Sequence, residues 1–500
     1  MKRRRRKRKI RGKKMEKIVK TLKVRIKNEV LTRRKKERLR RITGRDTRII
    51  EKYVKIIHHN RRRLCMKTKN GEIRVHKGKL DELTLTTSRI KKVEERRETV
   101  PHDLKKMFRH CSHDEFQECR DIAVQLYEQG YRPEATRPPK KRPRRQLINK
   151  KRFILTNLPK EKNNSISRWW VGIRDSLDTW KRKTRYHQRL WLPLEMSTFH
   201  QKELKKGQIK SLELRYKRST REWWVYFQLK VLPPPSFYPP EKESSSSLPP
   251  AVLGIDLGIN IPAAGVLLTP KKKLTIKEIK FWHTKQWNRI NHRYKLKLSR
   301  LQRKAALNDQ SGKKHQIYRF LGLLRRRYRN VKRSYIHQFI NDVVRTIESY
   351  AKVYDLFVVV GYPKNVRKDK EKGKEKSTRY FRRKLHQWNF SLVLGLLRRA
   401  LILRGFESHR ILTLDERGTS SHCSRCGKEV SRPVRGLVHC PICNYTFHSD
   451  LTGARNIARK FLSHLFRPRT TTITDYFTGQ KFSLTHYTVC RGLSHWLQSQ

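Results

Sequence analysis

Acidic residues are scarce in this sequence of 500 residues, in which 42 Asp and Glu stand against 124 Lys and Arg, and the formal net charge is +82. A compact protein with this imbalance repels itself unless polyanions neutralise it. Because the basic residues run through almost the whole chain, we expect an extensive surface that binds nucleic acid phosphates. A ribosomal or packaging protein, or a protein bound to an anionic membrane, is the alternative that composition leaves open.

Long apolar stretches are also absent, because no run of 18 or more apolar residues occurs, and we therefore expect no transmembrane helix. Residues 2–9 are all Lys or Arg. No apolar segment follows them, which argues against a secretory signal. The run is typical of a nuclear localisation signal or of a phosphate-binding arm. We expect a nuclear location if the host is a eukaryote, and the cytoplasm or nucleoid otherwise.

Only eight cysteines are present, and four of them are scattered, which favours a reducing compartment: Cys65, Cys111, Cys119 and Cys490. The other four form Cys423-x-x-Cys426 and Cys440-x-x-Cys443, separated by 13 residues. Two such pairs suit a tetrahedral Cys₄ zinc site, and four thiolates leave no open coordination position. The spacing therefore predicts one structural zinc ion.

Residues 233–250, rich in Pro and Ser, mark the clearest domain boundary. Before it, Thr21–Ile26 and residues 209–231 predict strands of a small β-barrel, and residues 30–130 predict inserted helices. A helix is also predicted for Ser165–Trp180. After the boundary, strands alternate with basic helices, which predicts an α/β domain; the predicted strands are Val252–Ile259, Asp355–Val360 and His409–Leu414.

Two acids stand in unusual places. Asp256 lies in GIDLGIN, inside an otherwise apolar strand, with Ile255 and Leu257 facing the other side. A buried carboxylate is costly without a partner, and converging carboxylates are what two magnesium-type ions require. Asp450 opens a predicted helix in FHSDLTGARNI. Taken alone, either acid could be structural, and an acid at a helix start is favoured by the helix dipole.

Together GIDLGIN, DERGTSSHCSRCG and CPICNYTFHSDLTGARNI resemble the motifs of the TnpB transposon nucleases and of their eukaryotic relatives, the Fanzor proteins, which are related to type V CRISPR effectors. The resemblance covers residues 251 to about 465 closely and the N-terminal half only in outline. It implies a C-terminal α/β domain of RNase H-like (RuvC-like) fold with an inserted zinc ribbon. It also implies an N-terminal wedge β-barrel with an inserted helical recognition domain.

The resemblance implies the following division of the chain: a disordered basic arm (1–14), the first part of the wedge barrel (15–30), the helical recognition domain (31–150), the rest of the wedge domain (151–232), a linker (233–250), the first part of the nuclease domain (251–417), the target nucleic-acid-binding zinc ribbon (418–447), and the end of the nuclease domain with a tail (448–500).

The middle acid departs from the usual pattern. Most TnpB proteins carry Glu at the end of the second motif strand, where this sequence reads LFVVVGYPKN with Gly361. Some TnpB proteins and the Fanzor proteins have the glutamate moved to the site that Glu416 occupies here. The resemblance therefore implies Asp256, Glu416 and Asp450 as catalytic magnesium ligands. Asp415 is the neighbouring candidate, and at most one of the two reaches the metals because adjacent strand residues face opposite sides.

The resemblance implies an RNA-guided DNA endonuclease that works as a monomeric ribonucleoprotein. It would bind a transposon-derived guide RNA of the omega type. It would cleave complementary double-stranded DNA beside a short motif read by the protein, with two Mg²⁺ ions and one structural Zn²⁺. The basic N-terminus and Glu416 favour Fanzor over prokaryotic TnpB. The alternatives are a guide-independent transposase of the RNase H-like class and a non-catalytic RNA-binding protein.

Aromatic residues of the first half have two interpretations, stacking on unpaired bases or core packing: Trp169, Trp170, Trp223 and Trp224.

Overall fold

The computed structural model describes residues 18–67, 73–84, 102–109, 111–130, 138, 145–158, 166–177, 189–217, 220–232, 234–238, 248–258, 261–270, 274–282, 285–308, 310–362, 390–434, 436–465 and 472–483. The arm predicted at 1–14, Cys490 and most of the predicted linker lie outside these ranges. The chain divides into two compact units, Met1–Pro233 and Pro234–Gln500.

The strands of the first unit are β1 (Ile18–Ile26), β2 (Cys65–Lys67), β3 (Ile73–Val75), β4 (Arg145–Asn149), β5 (Phe153–Asn157), β6 (Trp169–Arg174), β7 (Arg189–Glu195), β8 (Gly207–Lys217) and β9 (Glu222–Val231). All except the small β2–β3 hairpin form one antiparallel sheet in the order β4-β8-β9-β1-β7-β6-β5. Alternate residues of β9 are buried, as expected for a strand with one face in the core.

The seven-stranded sheet curls back on itself. Its two edge strands, β4 and β5, are joined by the turn Lys150–Arg152, and three residues reach only about 10 Å. The ring of Phe153 on edge strand β5 lies 6.4 Å from that of Phe227 on β9, which is four strands away in the sheet order. These contacts give the sheet a barrel-like interior, although the edge strands β4 and β5 are not hydrogen-bonded to each other in the described part of the chain.

The helices of the first unit are α1 (Arg33–His59), α2 (Arg61–Leu64), α3 (Lys77–Thr84), α4 (Leu104–Met107), α5 (His113–Gly130) and α6 (Thr198–Lys205). A separate apolar core joins α1, α3 and α5. Beside it, Glu115 of α5 binds Arg45 of α1 at 2.8 Å and Arg152 of the β4–β5 turn at 2.9 Å, all three side chains being buried. This ion cluster ties the helices to the sheet.

One prediction for the first unit is wrong. In the described part of the helix predicted over Ser165–Trp180, residues 166–177, the chain forms β6 instead, because Val171 and Ile173 point into the core and the backbone pairs with β5 and β7. Strand β4 lies inside the range 31–150 of the predicted recognition domain, after the helices predicted for residues 30–130, and it pairs with β8 in the sheet. Trp223 is a core residue, 3% exposed.

The strands of the second unit are β10 (Pro250–Asp256), β11 (Ala263–Pro270), β12 (Leu274–Trp282), β13 (Asp355–Tyr362), β14 (Ile411–Asp415), β15 (Leu437–Cys440), β16 (Tyr445–His448), β17 (Thr472–Thr474) and β18 (Lys481–Ser483). Five form a mixed sheet in the order β12-β11-β10-β13-β14. The first three are antiparallel neighbours, whereas β13 lies parallel to both β10 and β14. Strands β11 and β12 were not predicted.

The helices of the second unit are α7 (Lys285–Ala306), α8 (Ser311–Ala351), α9 (Phe390–Ile402) and α10 (Ser449–Leu465). One face of the sheet packs on α8 and α9 and the other on α10. None of the described helices is long and apolar enough to cross a membrane.

Part of the segment predicted as a linker packs onto the second unit. The ring of Phe237 stacks on Phe406 at 4.9 Å. The hydroxyl of Tyr238 accepts a hydrogen bond from the backbone N–H of Leu356 at 3.0 Å and donates one to the carbonyl of Tyr354 at 3.0 Å. The boundary between the two units therefore falls at the start of the Pro-rich stretch.

Candidate active site and metal centre

Asp256 is the last residue of β10, at the carboxyl end of the central strand. The odd-numbered residues on either side, Ile255 and Leu257, pack in the core under α8 and α9. Asp256 therefore faces the other side of the sheet, toward α10, as the alternation in the sequence predicts. Its side chain is half-buried, so solvent reaches it at the edge of the core.

Asp450 approaches Asp256 from the first turn of α10. The apolar stripe along this helix packs on the sheet, with Ala454, Ala458 and Phe461 fully buried. The approach is close, because a β-carbon added at Gly453 would lie 2.5 Å from Oδ2 of Asp256. Glycine at this position thus lets the helix start come up to the end of β10.

Glu416 follows β14 by one residue and lies beside Gly361 of β13. Strands β13 and β14 are paired in parallel, with Gly361 opposite Leu414. A β-carbon added at Gly361 would meet Cδ1 of Ile457 at 2.6 Å and would lie 3.3 Å from Oε2 of Glu416. The Glu416 carboxylate therefore lies next to the space that a side chain at position 361 would enter.

Asp256, Glu416 and Asp450, called the acidic group below, have the electrostatics of crowded carboxylates. Burial, followed by the charge of Asp450, raises the pKa of Asp256 to about 7, although a hydrogen bond from the backbone N–H of Leu257 lowers it in part. Burial, followed by the charges of Asp256 and Asp415, raises the pKa of Glu416 to about 8. Oε2 of Glu416 is buried and has no hydrogen-bond partner among the residues that the structure describes. A cation between these groups would relieve both the repulsion and the unsatisfied oxygen, so the donor set fits hard divalent ions.

Asp415 faces away from this group. Its carboxylate accepts a hydrogen bond from the guanidinium of Arg417 at 2.8 Å and lies 3.4 Å from the hydroxyl of Tyr476. The two adjacent acids thus occupy opposite sides of the chain, as strand geometry requires.

The four cysteines of the two pairs converge: in the described part of the chain, Cys423, Cys426, Cys440 and Cys443 alone form a group of possible ligands whose atoms all lie within 4.8 Å of one another. The Sγ atoms of Cys423 and Cys443 are 3.9 Å apart, and those of Cys426 and Cys440 are 3.6 Å apart. A tetrahedron with Zn–S bonds of about 2.3 Å has sulfur atoms about 3.8 Å apart. The thiols therefore fit zinc without rearrangement. The carboxylates of the acidic group are more widely spaced.

Helix α10 also holds the segment between the acids and the ribbon. Asn456 donates hydrogen bonds to the carbonyls of Thr419 at 2.7 Å and His422 at 2.8 Å, and Lys460 donates one to the carbonyl of Asp415 at 2.8 Å. Asn456 and Lys460 were not predicted from the sequence, because their partners are backbone atoms far away in the chain. Asn456 lies 37 positions from Thr419 and 34 from His422, and Lys460 lies 45 positions from Asp415. The same helix thus positions Asp450, the backbone before Glu416 and the first cysteine turn.

Residues 405–457 match the family model of the Cas12f1-like TNB domain. The match includes β14, Glu416, the four cysteines and the start of α10 with Asp450. No curated protein matches the chain.

Several solved structures align with most of the chain. A Cas12f1 in complex with sgRNA and target DNA is 14% identical, with 88% of this chain and 99% of that chain covered and a TM-score of 0.30. The mini-RNA-guided endonuclease CRISPR-Cas_phi3 is 10% identical, with 89% and 92% covered and a TM-score of 0.44. Alicyclobacillus acidoterrestris C2c1 with single-guide RNA is 10% identical, with 87% and 68% covered and a TM-score of 0.36.

Proposed function

We propose that this protein is an RNA-guided DNA endonuclease of the TnpB/Fanzor kind. The observation that carries the proposal is the meeting of Asp256, Glu416 and Asp450 at one edge of the sheet, beside a Cys₄ ribbon. The five-stranded order, with three antiparallel strands followed by two parallel ones, supports assigning the second unit to the RNase H-like fold. The motif resemblance and the match of residues 405–457 support the nuclease family.

The acids would hold two Mg²⁺ ions, which supply a polarised phosphate and an activated water for phosphodiester hydrolysis. The charge of Asp450 acts on Asp256, so these two acids would bind an ion between them, and Glu416 would contribute a carboxylate from the end of the nearby strand β14. Placement at the end of β10 on a tightly packed core keeps Asp256 in position, and the hydrogen bond from Lys460 orients the backbone that leads into Glu416. The Cys₄ zinc would be structural and would order the ribbon.

The guide would be a transposon-derived RNA of the omega type, paired with one strand of the target DNA. In such a system base pairing supplies sequence specificity, and the protein binds backbone and shape. A net charge of +82 supports a partner with far more phosphates than one short duplex. We further propose a monomeric ribonucleoprotein and, from the basic N-terminus and the position of Glu416, a Fanzor relationship.

The test is to express the protein with its native flanking DNA, sequence the RNA that copurifies, and incubate the complex with matched and unmatched plasmids. We expect one discrete RNA and Mg²⁺-dependent cleavage of the matched plasmid only. Asp256→Ala and Asp450→Ala should each lower cleavage by about three orders of magnitude or more while RNA binding persists. Asp415→Asn is the matched control, and it should cleave as the unaltered protein does.

Heterogeneous RNA that is removed by salt, together with cleavage that is indifferent to the guide, would refute the guided mechanism. Joining of DNA ends would point to the transposase alternative. Unchanged cleavage by Asp256→Ala or Asp450→Ala would refute the site assignment, whatever the guide.

A further inference from the structure

The second unit carries a basic helical arm, residues 285–335, made of α7 and the first part of α8. The arm contains 17 Lys and Arg and one acid, Asp309. The later part of α8 is anchored in the core through Ile336, Phe339 and Ile340. In the arm itself, Ala305 and Leu321 are the buried apolar residues that the described part shows. The arm thus has a thin core of its own and a large solvent-exposed surface.

An apolar groove runs between the two helices of the arm, with a volume of about 530 Å³. Its floor includes Leu301, Phe320 and Leu323, of which Phe320 is 64% and Leu323 is 55% exposed. Exposed aromatic and aliphatic side chains that cluster in a groove mark a binding surface more often than scattered ones do. The groove therefore suits a ligand that has an apolar face.

The rim of the groove is basic and includes Lys297, Arg300 and Lys304. None of these cations is paired with a carboxylate in the described part of the chain. A second copy of the arm would bring like charges together with no acids to compensate them, which disfavours self-association. A nucleic acid strand has the opposite charge and, where unpaired, offers flat apolar bases at the spacing of its phosphates.

We propose that this groove binds unpaired nucleotides, with bases against Phe320 and Leu323 and phosphates on the basic rim. A duplex hides its base faces, so the site would select single-stranded segments of RNA. The proposal rests on the proposed function only in taking nucleic acid as the partner. The groove would add contacts with the bases to binding that is otherwise dominated by contacts with the phosphates.

The test compares binding of a labelled oligouridine of about 12 nucleotides with an abasic strand of the same length, without added Mg²⁺. We expect the base-bearing strand to bind about tenfold tighter. Phe320→Ala/Leu323→Ala should bring this ratio close to one and leave the abasic strand unaffected. Because both side chains are exposed, the double variant should keep its melting temperature. Leu296→Ala, which removes another exposed leucine of the arm (46% exposed) that does not line the groove, is the control and should keep the ratio.

The basic rim is tested separately. Lys297→Gln/Lys304→Gln should reduce the slope of log affinity against log salt concentration by about one unit and leave the preference for the base-bearing strand intact. An unchanged base-to-abasic ratio in Phe320→Ala/Leu323→Ala would overturn the proposal. So would dimerisation of the free protein, detected by sedimentation and abolished by the double variant. The assay measures binding without Mg²⁺ and not cleavage, so failure here and failure of the nuclease assignment are distinguishable.

Discussion

Replacing Glu416 with Gln should stabilise the metal-free protein while abolishing cleavage. The pKa of Glu416 is raised from its ordinary value of 4.5 to about 8. The folded state therefore holds a proton at pH 7 that the unfolded state releases. The difference of about 2.5 pH units costs about 3 kcal/mol of folding free energy. Since the folded pKa is raised, the cost begins above pH 4.5, grows toward pH 8 and is constant beyond it.

The assay is thermal or urea unfolding of the unaltered protein and of Glu416→Gln at pH 4 and at pH 7. We expect equal stability at pH 4 and a gain of about 3 kcal/mol for the variant at pH 7. Added Mg²⁺ should stabilise the unaltered protein, because an ion that binds only the folded state raises its stability, and should stabilise the variant less. Asp415→Asn is the control, because its carboxylate binds Arg417 and its charge is the smallest of the causes that raise the pKa of Glu416, so its effect should be much smaller than that of Glu416→Gln.

Equal stability of the two proteins at pH 7, or the same Mg²⁺ stabilisation in Glu416→Gln as in the unaltered protein, would refute the reasoning. Either result would mean that the Glu416 carboxylate is not held against the other acids. The geometric argument from Gly361 would then also fail.

Three further predictions concern other parts of the molecule. Cys423→Ser should remove the bound zinc, about one equivalent, and destabilise the ribbon, as metal analysis and limited proteolysis would reveal; a stable, zinc-free and active variant contradicts this. Adding Gly361→Glu to an inactive Glu416→Ala protein should restore cleavage by about tenfold or more, provided that Ile457→Val is added to remove the Cδ1 atom that the new β-carbon would meet at 2.6 Å; no gain in this triple variant would place the acid elsewhere. Glu115→Gln should cost about 3 kcal/mol at neutral pH. Burial opposes the ionised form of Glu115, but Arg152 and Arg45 lower its pKa to about 2. The lowered pKa makes this stability fully present above pH 4.5 and lost as pH falls toward 2, so urea unfolding of the variant and the unaltered protein should differ at pH 7 and converge near pH 2.

Local patterns were enough to predict the parts of the site that lie on regular elements. The apolar run around Asp256 predicted a buried strand with the acid facing away from Ile255, and the structure has β10 in this arrangement. The spacing of the cysteine pairs predicted four converging thiols, which is confirmed. Each of these predictions depends on contacts between near neighbours or on a periodicity of two, which the order of residues alone encodes.

Predictions failed where pairing with distant strands decides the conformation. The segment around Trp169 has no strong strand period, and it becomes β6 because β5 and β7 hydrogen-bond to both of its sides. Strand β4 lies close in sequence to the helical segment but belongs to the sheet through its pairing with β8. Whether a segment follows its local propensity or pairs with distant strands depends on the whole sheet, so its conformation cannot be predicted from that segment alone.

The order of residues alone shows which types of ligand are available: cations that suit phosphates, four thiols that suit zinc, and acids at strand and helix ends. Which of those acids lie together depends on the tertiary structure. Through the parallel pairing of β13 and β14, the tertiary structure placed Glu416 beside Gly361, and it turned Asp415 toward Arg417. The tertiary structure also formed the apolar groove of the basic arm, which cannot be predicted from a local sequence pattern because residues of two helices line it. The physical reason is that the types of ligand are properties of single residues, whereas their distances are set by packing between segments far apart in the chain.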